Sequence, residues 1–314
     1  NKLKMIIPNS CIFYLIHEND THIKRLVDSL KTVNKYFLKK YPYPVVFGHE
    51  GISSTTRDLI REHAPKTHFF HKVNFTLPDY SQDILDKIPE KFKGHWDENA
   101  FFSMGYRHMC RLFSGGIYED KFFDNVKYLM RLDSDSYLLD EITRDPFKVM
   151  ADKKAIYGYE SEFKDEDYVI EGLFDFVEKI APTDQALEYN KSYSTHFFIE
   201  DCEWFRNDPY KTFFNKIDKT GNIYIKRWGD APIKYQGIMR LVPKEKRIKF
   251  DLPYTHGGDL ANALSNRAGK RTIKRIQQET EAAGQRVQQE EIEFMENKLT
   301  EFGREEKVIR TEFK

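Results

Sequence analysis

Apolar positions along the chain alternate between two periods. Cys11-Ile12-Phe13-Tyr14-Leu15-Ile16 is an unbroken apolar run of strand length, and the polar Glu18-Asn19-Asp20 closes it with a loop. Across residues 21–39 the spacing becomes helical, with Ile23, Leu26, Val27, Leu30, Val33 and Phe37 on one stripe, until Tyr41-Pro42-Tyr43-Pro44 stops the helix. The cycle repeats: Pro44-Val45-Val46-Phe47-Gly48 reads as a strand, residues 55–63 as a helix, and His68-Phe69-Phe70-His71-Lys72-Val73 as a third strand. Strands alternating with helices predict a parallel sheet joined by right-handed crossovers.

Residues 77–94 are rich in proline and charge and predict a surface excursion. Residues 99–114 return to helical spacing, with Phe102, Tyr106, Met109, Cys110 and Phe113 on the apolar side. Val126, Tyr128, Leu129, Met130 and Leu132 then form a buried strand that ends in Asp133-Ser134-Asp135. Further strands are expected at residues 155–159 and 195–200. Helices are expected at 167–180, with Val169, Leu173, Phe176 and Val177 inward, at 204–216 and at 232–241. The folded body is expected to span residues 1–259. From Leu260 the chain turns to Gln, Glu, Lys and Arg, which predicts a charged helical extension over residues 260–314, mostly helical from Arg271 to Lys307. There Ile292, Met295, Leu299 and Phe302 keep coiled-coil-like spacing, but Gly284 and a lost phase upstream deny it sustained heptads. The extension either packs on the body, stands in solvent, or contacts another chain.

Charge narrows the function classes. Lys+Arg and Asp+Glu are 50 each, so the formal net charge is zero, which gives no overall attraction to nucleic acid or anionic membrane. Any anion site is therefore local. Three cysteines, Cys11, Cys110 and Cys202, are too few for a disulfide framework or a zinc cluster and leave at least one free thiol. No apolar run reaches the roughly 20 residues of a spanning helix, so no membrane contact is expected of this chain. Its first residue is Asn1 rather than Met, which is compatible with an upstream anchor. Asn74-Phe75-Thr76 and Asn190-Lys191-Ser192 fit the glycosylation sequon.

Asp133 and Asp135 point the same way on an extended backbone, at the carboxyl edge of the sheet where open α/β folds bind ligands. Their hard oxygens suit Mg²⁺ or Mn²⁺, ions that keep open positions for phosphate oxygens. Taken alone, Asp-x-Asp fits a solvated turn as well. The order of motifs adds weight: Tyr106-Arg107-His108-Met109-Cys110-Arg111-Leu112-Phe113-Ser114-Gly115, then the acid pair, then Arg227-Trp228-Gly229-Asp230-Ala231-Pro232, then Tyr254-Thr255-His256. From about Trp96 to His256 this set resembles glycosyltransferase family fifteen, the fungal Golgi α-1,2-mannosyltransferases.

The resemblance implies a GT-A fold, a Rossmann-like mixed sheet flanked by helices, and retaining transfer of mannose from GDP-mannose to a glycan acceptor with Mn²⁺ (or Mg²⁺). It implies Asp133 and His256 as metal ligands, and Asp230 as an acid near the acceptor hydroxyl; Asp230 equally fits a cap on the helix it precedes. Tyr106 resembles a donor-site tyrosine. Arg107, Arg111 and Arg131 are candidates for the donor phosphates through their forked N–H groups, or else members of buried ion pairs. Asp135 is assigned to the metal–diphosphate anchor or to the donor's sugar or ribose.

The chain departs from the family pattern in three places. Asp133-Ser134-Asp135 stands where the family has Glu-Pro-Asp. Phe198, in His196-Phe197-Phe198-Ile199, stands where the family has a glutamate proposed as nucleophile. Glu200 shares the Phe198 face of a strand, so either Glu200 supplies that carboxylate or transfer proceeds on the front face, with the leaving diphosphate helping to deprotonate the acceptor. The family's cysteine-rich segment after the core is absent, so a cytoplasmic setting stands beside a Golgi one. A different nucleotide sugar, or a degenerate carbohydrate-binding protein on the same fold, are the alternatives in function.

Overall fold

The computed structural model describes residues 6–90, 92–93, 101–265 and 267–282. Trp96, where the family resemblance begins, and the Ile292, Met295, Leu299 and Phe302 spacing lie outside the described residues. The chain opens with strand β1 (Ser10–Ile16), helix α1 (Asp20–Val33), β2 (Val45–His49), α2 (Ser54–His63) and β3 (His68–Lys72). Asn19 begins α1, its side chain accepting from the N–H groups of Thr21 and His22 at 3.0 and 3.3 Å, which satisfies two otherwise orphaned donors. After α3 (Met104–Ser114) come β4 (Tyr128–Leu132), β5 (Ser136–Leu138), β6 (Tyr157–Tyr159), α4 (Leu173–Ile180) and β7 (Phe197–Asp201). Among the elements that follow are α5 (Cys202–Arg206), α6 (Tyr210–Asp218), α7 (Asp230–Leu241), β8 (Arg247–Lys249), β9 (Tyr254–His256), α8 (Leu260–Ser265) and α9 (Arg267–Ala282).

Seven strands form one mixed sheet in the order β8-β6-β7-β4-β1-β2-β3. The pairs β1/β2, β2/β3 and β1/β4 are parallel, as the strand–helix alternation requires, while β7 runs antiparallel between β4 and β6. Side-chain alternation sorts the strands onto two cores. Ile12, Tyr14 and Ile16 meet Ile23, Leu26 and Leu30 of α1 and Ile60 of α2 on one face. Cys11, Phe13, Leu129 and Phe198 meet Cys110 and Phe113 of α3 and Ile233 and Ile238 of α7 on the other. Each fully buried aliphatic contributes about 1.5–3 kcal/mol relative to exposure, so the apolar stripe of α1 alone anchors it to the sheet.

Two departures from sequence expectation follow from local backbone chemistry. The helix expected over residues 167–180 is broken: Asp167–Val169 forms a single 3-10 turn, and Gly172, at φ +71°, resets the chain before α4, a conformation glycine adopts without steric cost. The expected helix over 204–216 is two helices, α5 and α6, parted at Asn207-Asp208-Pro209. All three cysteines are free and buried. Helices α8 and α9 lie against the two-stranded β5/β9 ladder: Tyr137 and Leu139 share a small core with Ala263 and Leu264, and Ile273 and Ile276 pack onto it.

Candidate active site

The acids gather around one arginine. Arg131, penultimate in β4, projects to the α3/α7 face, where its guanidinium lies 3.7 Å from the centre of the Phe113 ring. Its Nε donates to Asp133 Oδ1 at 2.8 Å and its Nη1 to Asp230 Oδ2 at 2.7 Å. Arg131 is 4 % exposed and Asp230 5 %, so their ion pair is drawn out of water, where charge-assisted hydrogen bonds hold geometry most firmly, while the Asp133 side chain stays one-third exposed. Burial opposes the arginine's charge, yet Asp133 and Asp230 outweigh it and its pKa is raised. Asp230 is the first residue of α7, where the helix dipole favours a carboxylate.

A tight turn carries the chain from β4 into β5, which pairs antiparallel with β9. Ser136 donates its N–H to Asp133 O at 3.0 Å, and Asp133 returns its own N–H to Ser136 Oγ at 3.1 Å. The register of this pair sets His256 opposite Ser136. His256 Nε2 therefore lies 3.1 Å from Asp135 Oδ1 and 4.0 Å from Asp133 Oδ2. The Gly258 N–H donates to Asp135 Oδ2 at 2.9 Å. Burial alone raises the Asp135 pKa, but its hydrogen bond with His256, that residue's charge and the Gly258 N–H hold it down to about 2. The same pairing overcomes burial and raises the pKa of His256. His196 stacks on His256 with ring centres 4.1 Å apart and 11° between planes, and its Nδ1 hydrogen-bonds with Tyr254 Oη at 2.8 Å. Burial, then the nearby His256, depresses the His196 pKa far below the ordinary range, so it is a neutral ring that stacks on His256.

Asp133, Asp135, Arg131, Asp230 and His256 are thus brought together. Tyr106 lies at the edge of this group: its hydroxyl accepts from Arg227 Nη2 at 3.3 Å, and burial, with Cys110 and Asp230 adding and Arg227 opposing, pushes its pKa well up. Arg107 and Arg111 are not brought to the acids. Arg107 donates to the carbonyls of Tyr224 at 3.1 Å and Pro89 at 3.2 Å, and Arg111 grips Asp218 with two bonds of 2.8 and 2.7 Å. Four residues apart on α3, they share one helix face, while Tyr106 and Cys110 share another. Glu200 is also placed elsewhere. It is fully buried, pairs with Lys234 of α7, and sits opposite Leu129, with Phe198 opposite Arg131 between it and the acid cluster.

Residues 2–271 match the model of the family described as glycolipid 2-alpha-mannosyltransferase. The chain belongs to this family. Among its relatives in Saccharomyces cerevisiae, "Probable mannosyltransferase YUR1" is 28% identical over 289 residues, covering 79% of this chain and 66% of the relative. "Glycolipid 2-alpha-mannosyltransferase" of the same yeast is 24% identical over 277 residues, covering 79% and 61%. The chain therefore spans somewhat under two thirds of the length of these relatives. Among solved structures, core-mannan synthase A (CmsA/Ktr4) of Aspergillus fumigatus in its Mn/GDP form superposes with a TM-score of 0.70 at 20% identity, over 82% of this chain and 76% of that one. The fold is the GT-A fold of that neighbour, with the mixed sheet and flanking helices expected.

Donor chemistry is consistent with a hard divalent cation. Two carboxylates and an imidazole converge at the carboxyl edge of β4, a mixed oxygen and nitrogen set suited to Mn²⁺. Among the described residues no three His, Cys, Asp or Glu side chains form a group that could hold a metal ion. Sequence patterns did not single out Ser136, Tyr254 and His196 as supports of this geometry. The one signal for them is position: Ser136 follows Asp135, Tyr254 lies two residues before His256, and His196 four before Glu200.

Proposed function

We propose that this chain is a metal-dependent, retaining mannosyltransferase that moves mannose from GDP-mannose to a sugar hydroxyl, with α-1,2 linkage. The observation that carries the reading is the bridge from Arg131 to both Asp133 and Asp230, with His256 facing the acid pair. Family membership and a fold neighbour in Mn/GDP form support it.

Asp133 and His256 would hold the cation, whose chemistry when bound is to neutralise charge developing on the departing diphosphate. Asp135 fixes His256 and faces the donor. Arg131 keeps Asp133 on the donor side and Asp230 on the acceptor side of a single planar group. Asp230 accepts a hydrogen bond from the attacking hydroxyl and orients it. Glu200 has no exposed surface and is committed to Lys234, so we assign it no part in bond making. Transfer then runs on the front face: the bond from the anomeric carbon to the phosphate oxygen breaks, the bond to the acceptor oxygen forms on the same side, and the hydroxyl proton passes to the leaving diphosphate.

No described helix is long and apolar enough to cross a membrane. We assign the chain to the secretory pathway, the setting that its family resemblance implies. The test of function is nucleotide release with Mn²⁺ and a panel of nucleotide sugars, with and without mannosides. Release confined to GDP-mannose and stimulated by mannosides is expected. Release with a different donor, or binding without release, refutes the assignment.

A further inference from the structure

We infer that Tyr168 and Arg227 form a sugar-binding step beside Asp230 that takes the next unit of the acceptor, so that the protein extends a disaccharide in preference to a single sugar. This rests on the transferase reading of the Arg131 cluster. The turn carrying Tyr168 is fastened to the segment that leads into Asp230. Trp228 Nε1 donates to Glu171 O at 2.8 Å, Lys226 pairs with Glu171 at 3.1 Å, and the Phe176 and Trp228 rings are 5.7 Å apart. Tyr168 is therefore held in place while the residue stays 37% exposed.

Arg227 connects this ring to the site. Its guanidinium lies 5.7 Å from the Tyr168 ring centre and 5.6 Å from that of Tyr106, and it donates to the Tyr106 hydroxyl. Its backbone is left-handed, at φ +61°, a conformation that costs a residue with a Cβ and persists where surroundings enforce it. Gly172 and Gly221 fill comparable positions nearby at φ +71° and +69°, so an arginine here keeps a costly backbone in exchange for a placed guanidinium. An exposed phenol ring offers a flat apolar face to the C–H groups of a pyranose. A planar group rich in donors matches vicinal hydroxyls. Arg227 stands three residues before Asp230, and the Tyr106 hydroxyl it donates to is close enough to Asp230 for that carboxylate to push its pKa up. Three residues of extended chain span at most about 10 Å, on the scale of a disaccharide.

The test uses the full chain with Mn²⁺ and GDP-mannose, comparing methyl mannoside with mannobiose as acceptor. Wild type should show a KM for mannobiose roughly tenfold lower, the effect of one good contact. Tyr168→Ala should erase that difference while leaving kcat and KM for methyl mannoside, and hydrolysis of donor alone, unchanged. Arg227→Gly, which fits the left-handed backbone, should also erase it without lowering the thermal midpoint. A mannobiose advantage that survives Tyr168→Ala, or none in wild type, overturns the inference. If no donor is turned over, the transferase reading fails on its own, and saturation-transfer NMR of mannobiose decides this one. A transfer signal that is strong with wild type and vanishes with Tyr168→Ala upholds a sugar subsite, and no signal with wild type removes it.

Discussion

Replacing Glu200 and Lys234 separates a structural carboxylate from a chemical one. Both side chains are fully buried, and Lys234 Nζ meets Glu200 Oε2 and the Tyr118 hydroxyl inside a cage of rings, 4.3 Å from Phe205 and 5.0 Å from Phe198. Burial pushes the Lys234 pKa down against the pull of Glu200, so the pair stands in a low-dielectric setting. Removing one partner of such a pair costs about 3–5 kcal/mol, because the other charge is left uncompensated, whereas replacing both with apolar residues of similar volume is close to neutral. Glu200→Leu and Lys234→Met alone should each lower the urea midpoint strongly, and the double variant should recover most of the loss. Along β4, Leu129 and Asp133 are four residues apart, roughly 13 Å at strand rise, and Glu200 sits on the Leu129 row. The double variant should therefore keep near wild-type turnover, measured as GDP release with a mannoside. A folded double variant with no turnover would refute the reasoning and return Glu200 to the chemistry.

Other consequences are as direct. Asp230→Asn should keep the fold, since the amide still accepts from Arg131, and should lower kcat by roughly 10²-fold, the scale of a misplaced attacking group; unchanged kcat would remove Asp230 from the acceptor site. Asp135, held down to about 2 from an ordinary 3.8, contributes stability that is present above the higher value and lost as pH falls through the lower one. In metal-free protein, Asp135→Asn should thus be less stable than wild type at pH 6, with the gap closing toward pH 2; a gap independent of pH would mean that the pairing with His256 is not its source. Arg131→Met, which strands the buried Asp230, should destabilise by about 3–5 kcal/mol, read as a shift in the urea midpoint.

Much of the fold was legible because its signals are local. The unbroken apolar runs of β1, β2 and β4 mark strands buried on both faces, the period-3.6 stripe of α1 encodes one face, and Asp133 and Asp135 follow from the end of one such run. The site was legible only in part, because its closure is made by distant chain. His256 reaches the acids through pairing of β9 with β5, and nothing in Tyr254-Thr255-His256 names Ser136 as its partner. Tyr106, Arg107 and Arg111 are neighbours in one motif, yet helical rotation sends Arg107 and Arg111 to Tyr224 and Asp218 instead of to Asp133. Strand alternation correctly put Glu200 on the Phe198 face, but its depth depends on Lys234, 34 residues later. Gly172 broke a stripe that looked continuous, since a single left-handed residue outweighs periodicity.

Anomeric proton NMR of the product tests the central claim most directly, with GDP-mannose and a mannoside incubated with wild type and with Asp133→Ala, each with Mn²⁺ and with a chelator. The account predicts an α-linked product from wild type with Mn²⁺, and none with chelator or from the variant. A β-linked product, or undiminished α-product from Asp133→Ala in chelator, would contradict it.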